Sequence, residues 1–377
     1  MPFQKFTVTQ VTNSGKATHA AISPDGKYVL SVMDDNGLES LLLRNVPTGS
    51  DTQVIPPSAS HYLFLSFSPD GNYIYFAKAQ NTSGTYYNLY RSPILGGTPQ
   101  TVVRDLCSNI AFSPDGQRIA YIITDDPERG KYRLLTASLD GTHETVLQTG
   151  PDTEAPGYVA WSPKGDQLFY SLYSSEQGLY AIDTLDVGTG KSHRFFASKD
   201  KSLFELQSSP DGRTLFAMYG QTGSNVVRGQ IGFMRSTGGD IEPITRDTNR
   251  YMTLTLSADG RTLATVLARS SATISVLSQT GHHFQDPRSL LSQSDAWGDE
   301  LSVVSWGADG SLLANKADRL LKLESNGKNQ TQLLADPVAL IGSSSACGAN
   351  YLVLSWLSHG GANSWKICRW KDPGNGY

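Results

Sequence analysis

The sequence predicts an all-β protein, a β-propeller built from four-stranded antiparallel blades. Three observations favour this fold: one turn motif recurs along the chain, alternating apolar strands flank each copy of it, and turn-forming and aromatic residues are abundant. The 377 residues include 36 Gly, 18 Pro and 17 Tyr, and only 18% are charged. A regular repeat of about 45 residues is typical of propeller blades, each of which is stabilised by packing on its neighbours.

The turn motif is Ser-Pro-Asp-Gly or a close variant. Pro presets φ for a turn, the Asp side chain bonds the backbone two residues on, and Gly supplies a positive φ. Seven recognisable copies end at Gly26, Gly71, Gly116, Gly165, Gly212, Gly260 and Gly310, which lie 45 to 50 residues apart. Because the motif is so regular, we interpret its acidic and glycine residues as structural, namely Asp25, Gly26, Asp70, Gly71, Asp115, Gly116, Asp211 and Gly212, and likewise Asp259 and Asp309.

An eighth copy is degenerate and reads CGANYLVLSW, with Gly348 at the turn. We therefore predict one domain of eight blades over residues 1–377, with seven blades as the alternative. The predicted blades span approximately residues 17–55, 60–103, 107–148, 156–197, 203–245, 250–291, 299–334 and 338–372.

The two ends of the chain suggest how the ring closes. The last repeat reaches its third strand at Trp365–Trp370 and then stops, whereas residues 3–12 at the N-terminus resemble an outer strand without a blade. Pairing this N-terminal strand with the last blade would remove two exposed sheet edges. We expect the propeller to close in this way.

Composition and charge exclude several classes of function. The net charge is −4 and no basic run exceeds two residues, so a nucleic-acid partner is not expected. Three cysteines without a CxxC pair and seven scattered histidines predict neither a metal site nor a cofactor. No apolar stretch is long enough to span a bilayer, so contact with a membrane is expected only through a parent chain.

The candidate binding site is the mouth of the central channel on the face opposite the turns. In a propeller the innermost strand of each blade lines the channel, and its first residues lie at this mouth; loops and strand ends on a rigid scaffold commonly carry binding sites. The residues predicted to gather there are His19, His61, Asn109, Tyr158, Glu205, Tyr251, Trp297 and Glu300. We identify no catalytic set. Trp306 aligns with Phe67, Phe112 and Trp161 and is expected in a blade core.

The repeated Ser-Pro-Asp-Gly followed by an apolar strand resembles the TolB-like, WD40-like propeller repeat known as PD40. The opening residues KFTVTQVTNSGKATHAAISPDGKYVLSV, with LLLRNVPTGSDTQVIPP and LSFSPDGNYIYF, are similar to the C-terminal propeller of acidobacterial-type serine/threonine protein kinases. That likeness is strong to about residue 150, moderate to 265 and weak beyond. It implies a bacterial, extracytoplasmic sensor domain attached to a kinase, although the chain itself contains no kinase motif.

The sequence thus favours a non-catalytic propeller that senses an unknown small molecule or protein at its channel mouth. The first alternative is a TolB-like or WD40-like protein-interaction scaffold. The second is a metal-dependent propeller enzyme of the lactonase or lyase type, which would need metal-holding side chains in the channel. Glu205 and Glu300 are the carboxylates that keep this alternative open.

Overall fold

The computed structural model describes residues 6–79, 87–222, 229–247 and 249–268, and then segments 272–276, 279–280, 283–284, 288–293, 301–306, 309–316, 319–324, 329–335, 339–345, 351–357 and 363–369. All regular structure in these residues is β-strand. The described residues contain no helix that could span a membrane. The predicted all-β architecture of four-stranded antiparallel sheets is confirmed.

Each of the first five repeats forms a sheet whose four strands follow chain order. The first sheet contains β1 (Ala17–Ile22), β2 (Tyr28–Asp35), β3 (Leu38–Asn45) and β4 (Asp51–Ser58). The second contains β5 (His61–Phe67), β6 (Tyr73–Ala79), β7 (Tyr87–Pro93) and β8 (Gln100–Leu106). The third contains β9 (Ala111–Phe112), β10 (Arg118–Thr124), β11 (Lys131–Ser138) and β12 (Thr145–Pro151), and one bridge between Leu106 and Ile123 joins it to the second.

The fourth sheet contains β13 (Glu154–Trp161), β14 (Gln167–Ser174), β15 (Leu179–Asp186) and β16 (Ser192–Ser198). The fifth contains β17 (Lys201–Ser208), β18 (Thr214–Gln221), β19 (Gln230–Arg235) and β20 (Glu242–Pro243). In the sixth repeat β21 (Arg250–Tyr251) pairs with β24 (Leu267–Ala268), and β22 (Thr255–Leu256) pairs with β23 (Leu263–Ala264).

The chain divides into two compact units, of which the first comprises Met1–Gly220, Gly229–Asp247 and Tyr251–Ala268. The second unit contains β25 (Ala272–Val276) paired with β28 (Arg288–Gln293), and β26 (Gln279–Thr280) paired with β27 (His283–Phe284). It also contains a sheet of β29 (Leu301–Trp306), β30 (Leu312–Lys316), β31 (Arg319–Leu323) and β32 (Gln330–Ala335), and a sheet of β33 (Ala339–Ser345), β34 (Tyr351–Leu357) and β35 (Asn363–Arg369).

In the first unit, hydrophobic side chains of each sheet pack against those of the next. Five clusters join the first sheet to the second and so on to the sixth repeat. A further cluster contains Ala20, Ile22 and Val29 of the first sheet together with Val266 of the sixth repeat. Because every inter-sheet space of the unit has a buried cluster, the six repeats form a closed ring with one shared architecture.

The closing contact between the sixth and first repeats also includes hydrogen bonds. The Ile22 N–H donates to Thr255 Oγ1 at 3.1 Å, and the Ala258 N–H donates to the Pro24 carbonyl at 2.8 Å. The expected count of eight blades is not confirmed, since the first repeat adjoins the sixth. Ala258 occupies the Pro position of the turn motif, and only a residue other than Pro has the N–H that this contact requires.

The predicted N-terminal outer strand over residues 3–12 is wrong for the residues that the structure describes. Residues 6–12 form no strand, and Phe6 and Val8 are exposed. Val11 instead packs against the cluster that joins the first and sixth repeats. The first sheet already adjoins the sixth repeat, and the partly buried Val11 packs at this contact.

The expected core position of Trp306 is also wrong. Its side chain is 53% exposed, whereas Phe67 and Trp161 at the equivalent position are each 5% exposed. In the first unit these aromatic side chains are buried in the clusters between adjoining sheets. The cluster described in the second unit, formed by Leu312, Ala314, Leu321 and Leu323 with Val276 against it, does not include the Trp306 indole.

Replacing Ala258 with Pro tests the ring-closing hydrogen bond. Pro occupies the same turn position in the first five repeats, so the backbone conformation is compatible and the loss of the N–H is the main change. We expect a loss of about 1 kcal/mol in the free energy of unfolding, measured by chemical denaturation. Pro114→Ala, in a turn away from the closing contact, is the control, and an unchanged stability of Ala258→Pro would contradict the assignment.

A second prediction concerns packing between successive turns. Gly26 and Gly260 have nearly the same φ, +71° and +67°, but a Cβ on Gly260 would lie 2.9 Å from Pro210 Cδ, whereas one on Gly26 would meet no atom within 4 Å. Gly26→Ala should therefore cost about 1 kcal/mol from backbone strain alone. Gly260→Ala should cost at least about 1 kcal/mol more because of the added clash. Equal losses on chemical denaturation would show that the turns do not pack tightly.

Candidate functional site

The turns that end the inner strands are fixed by their own side chains. In the first turn, Ser23 Oγ donates to Asp25 Oδ1 at 2.7 Å, and the same oxygen accepts the Lys27 N–H at 3.0 Å. The same two bonds recur in the turns of Asp70, Asp115, Asp211 and Asp259. These bonds hold the pKa of each turn carboxyl below its usual range. In the fourth turn Lys164 replaces the Asp, and Ser162 donates to Asp166 instead.

The inner strands of the six repeats surround a central channel in the first unit. Its wider part, here the wide cavity, has a volume of about 390 Å³ and is lined at the turn end by the prolines of five motifs and by Ala258 of the sixth. Its narrower part, here the narrow cavity, has a volume of about 50 Å³ and lies near the beginnings of the inner strands. The two cavities share lining residues, among them Asn109 and Gln207, and therefore adjoin.

One side chain from each repeat forms what we name the inner ring. Its members all stand seven residues before a turn glycine: His19, Phe64, Asn109, Tyr158, Glu205 and Thr253. Five of them line the narrow cavity, the exception being Tyr158. A repeat that aligns the strands in register brings residues of the same position to one level of the channel. The ring combines aromatic, amide, hydroxyl, imidazole and carboxyl groups.

Glu205 is the acidic member of the inner ring. Its Oε2 accepts a short hydrogen bond from the Leu254 N–H of the sixth repeat. Burial raises the pKa of Glu205 to about 8, and the Leu254 N–H opposes that rise. The Glu205 carboxyl therefore retains its proton at neutral pH and is a hydrogen-bond donor as well as an acceptor.

His19 is the other titratable group that lines the narrow cavity. Burial is the main cause that lowers the pKa of His19 to about 4, and the nearby His61 contributes in the same direction. The imidazole is neutral at neutral pH. With Glu205 protonated as well, the narrow cavity presents hydrogen-bonding groups without a net charge.

Asn109 connects two blades through its side chain. Its Oδ1 accepts the Val159 N–H at 2.8 Å, and its Nδ2 donates to the Val159 carbonyl at 3.0 Å. Both ends of the amide are thus used by the backbone of the next repeat. Asn109 thus lines the channel, and its amide also holds the third and fourth inner strands together.

The remaining predicted site residues do not all converge. Tyr158 lies close to Glu205, whose charge adds to burial in raising the pKa of the phenol. His61 pairs with the buried Glu39 at 3.3 Å, and Tyr251 donates to Asp247 at 2.7 Å on an exposed surface. Trp297 and Glu300 lie outside the described residues.

Sequence reasoning missed four polar residues that line the channel, Ser66, Gln207, Thr253 and Thr255. Ser66, Gln207 and Thr255 stand five residues before a turn glycine, and Thr253 stands seven before, so counting back from each turn would have found them. Glu39 was missed because it lies in the third strand of its sheet. Its carboxylate accepts the Tyr62 N–H at 2.8 Å from the next repeat.

In the described part of the chain, no three His, Cys, Asp or Glu side chains are arranged to hold a metal ion. Cys107, the cysteine that the structure describes as free, is partly buried beside Thr124 Oγ1 at 3.0 Å.

The raised pKa of Glu205 predicts a pH dependence of stability. In the unfolded chain the carboxyl loses its proton near its usual pKa, whereas in the folded protein it does so only near 8, so its contribution to stability is lost as pH rises between these values. As pH rises from 5 to 8, the free energy of unfolding of the native protein should fall by about 3 kcal/mol relative to that of Glu205→Gln, as measured by chemical denaturation. Glu176→Gln on an exposed turn is the control. Parallel pH profiles for Glu205→Gln and native protein would show that this carboxyl is not desolvated.

Comparison with known proteins identifies the fold. No protein-family model matches the chain. Over 71 residues, 19% of the chain, it is 34% identical to the Tol-Pal system protein TolB of Sodalis glossinidius (strain morsitans), and this match spans only 16% of that protein. The structure of putative TolB from Agrobacterium tumefaciens is similar with a TM-score of 0.53 and 20% identity, over 68% of this chain and 92% of that one. TolB from Acinetobacter baumannii matches with a TM-score of 0.41 and 16% identity, over 89% of this chain and 78% of that one. The chain has a TolB-like β-propeller fold.

Proposed function

We propose that this protein is a non-catalytic binding module that recognises its ligand through the central channel of the first unit. The observation that carries the proposal is the convergence of polar side chains from six different repeats on one channel. Ligand sites are typically concave, with a mainly apolar lining and a few polar groups that fix orientation. The wide cavity, about 390 Å³, is concave and combines proline and aromatic side chains with the polar groups of Gln207, Asn109 and Ser66, although its lining is more polar than is typical.

The rigidity of the scaffold supports this function. Asn109 and Glu205 both accept backbone N–H groups of the following repeat, so the inner ring is held by hydrogen bonds between blades. A preorganised site loses less conformational freedom when it binds. The channel can therefore select a ligand by shape and hydrogen bonding without first rearranging.

The TolB-like fold supports a binding scaffold over other uses of the propeller. The finer proposal, that the module is the sensor portion of a receptor-type serine/threonine kinase outside the cytoplasm, rests on the resemblance of residues 1 to about 150 to such propellers. In that arrangement the ligand or protein partner would bind in the channel, and the signal would pass to a kinase domain elsewhere in a longer chain.

A thermal-shift screen against sugars, metabolites and short peptides tests the proposal. A ligand present at 100 times its Kd should stabilise the native protein by roughly 2.7 kcal/mol. Gln207→Ala, which removes an amide that lines both cavities, should abolish most of that shift. Gln53→Ala, the same change on an exposed outer strand, should leave it intact.

Stabilisation that is equally strong in Gln207→Ala and in the native protein would place the binding site elsewhere. A flat screen on a protein that unfolds cooperatively would also count against the channel as a small-ligand site. The flat screen would favour recognition of a protein partner through the outer surface.

A further inference from the structure

The chemistry of the narrow cavity points to one class of ligand. Among the described residues that line the two cavities, neither Lys nor Arg occurs, and the acidic one is Glu205. Glu205 is partly buried, and ionised groups inside proteins are generally paired with an opposite charge. The channel therefore lacks the positive charge that would complement its own acidic group.

One oxygen of the Glu205 carboxyl is available to pair with a positively charged group. Oε2 accepts the Leu254 N–H, and no described residue donates a hydrogen bond to Oε1. Tyr158 of the adjoining fourth inner strand lies close to Glu205, Thr253 lines the cavity from the adjoining sixth strand, and His19 lines it from the first repeat. The titratable ones, the His19 imidazole and the Tyr158 phenol, are both neutral at neutral pH because burial lowers the pKa of His19 and raises that of Tyr158.

Aromatic rings beside a carboxyl are the combination that proteins use to bind organic ammonium groups, since the ring face and the carboxylate both attract a cation. Tyr158 is the aromatic side chain close to Glu205, whereas Phe64, which also lines the narrow cavity, packs in the cluster between the second and third sheets. The cavity volume of about 50 Å³ is enough for a small polar head group, which needs space comparable to a water molecule or two. The adjoining wide cavity can hold the remainder of such a ligand.

We propose that the narrow cavity binds the ammonium group of a ligand that enters from the wide cavity at the turn end of the channel, and that Glu205 is the group that pairs with it. This inference rests on the proposed function of the channel and names the class of ligand. The ammonium group belongs either to a small amine or to a lysine side chain of a protein partner. On binding, the Glu205 O–H bond breaks, the proton passes to solvent, and the resulting carboxylate pairs with the ammonium group.

The test uses calorimetric titration of the full chain with cyclohexylamine, and with cyclohexanol as a neutral analogue of the same size. At pH 7 we expect cyclohexylamine to bind at least tenfold more tightly than cyclohexanol. Glu205→Gln, which keeps an acceptor for the Leu254 N–H, should reduce that preference to less than about threefold. Glu176→Gln, an exposed change away from the channel, should keep the full preference. Equal affinities for amine and alcohol in the native protein would overturn the proposal.

Proton release gives a second readout that requires no variant. With Glu205 mostly protonated at pH 7, binding of the amine should release about 0.9 proton per site, seen as a dependence of the binding enthalpy on the ionisation enthalpy of the buffer. At pH 9.5 the carboxyl is already ionised, and the release should fall close to zero. Binding of the amine without proton release at pH 7 would show that Glu205 is not its partner.

Two peptides distinguish the sources of the ammonium group. A capped pentapeptide with one central lysine and its counterpart with acetyl-lysine differ only in that charge. Preference for the free lysine that depends on Glu205 supports a protein partner, and a Glu205-dependent preference confined to cyclohexylamine supports a small amine. A neutral ligand could bind the native protein but not Gln207→Ala, while no amine binds more tightly than its neutral analogue. In that case the channel remains the binding site and the ammonium proposal fails.

Discussion

The contact between the sixth and first repeats is the constraint on which the rest of the first unit depends. A propeller blade buries its two faces only against neighbours, so an open row of sheets leaves two apolar faces in water. Here the cluster of Ala20, Ile22, Val29 and Val266 covers both, and the Ala258 N–H to the Pro24 carbonyl adds a directional bond. The channel exists because this contact closes the row of six repeats into a ring.

The closed ring also determines the chemistry of the channel. Each inner strand contributes one side chain per level, so the group at a given level faces five others across a narrow space. In that space Glu205 has little access to water, and its preferred state is the protonated one. A carboxyl that keeps its proton at neutral pH until a cation binds links ligand binding to proton release. The same desolvation that destabilises the free carboxylate thus favours the ligand that supplies the missing charge.

The sequence predicted the repeat, the turns and the four-stranded sheets because each depends on local chemistry: Ser, Pro, Asp and Gly in order, then alternating apolar residues. It also predicted that His19, Asn109 and Glu205 would face the channel, since repeat register fixes strand position. The number of repeats in the ring could not be read in this way, because closure depends on contacts such as Ile22 with Thr255, more than two hundred residues apart. The sequence shows that Ala258 replaces the Pro of the motif. The consequence of this change, a hydrogen bond from the Ala258 N–H to the Pro24 carbonyl, depends on a contact that only the structure shows.

Hydrogen exchange at the Ile22 and Ala258 amides tests ring closure after six repeats most directly, because each donates to a residue of the other repeat. If the sixth repeat packs on the first, both amides should exchange as slowly as those of the central strand β2, with exchange governed by global unfolding. Exchange of both amides at the rate of exposed turn amides, with β2 protected, would contradict the six-repeat ring and with it the channel that we assign as the binding site.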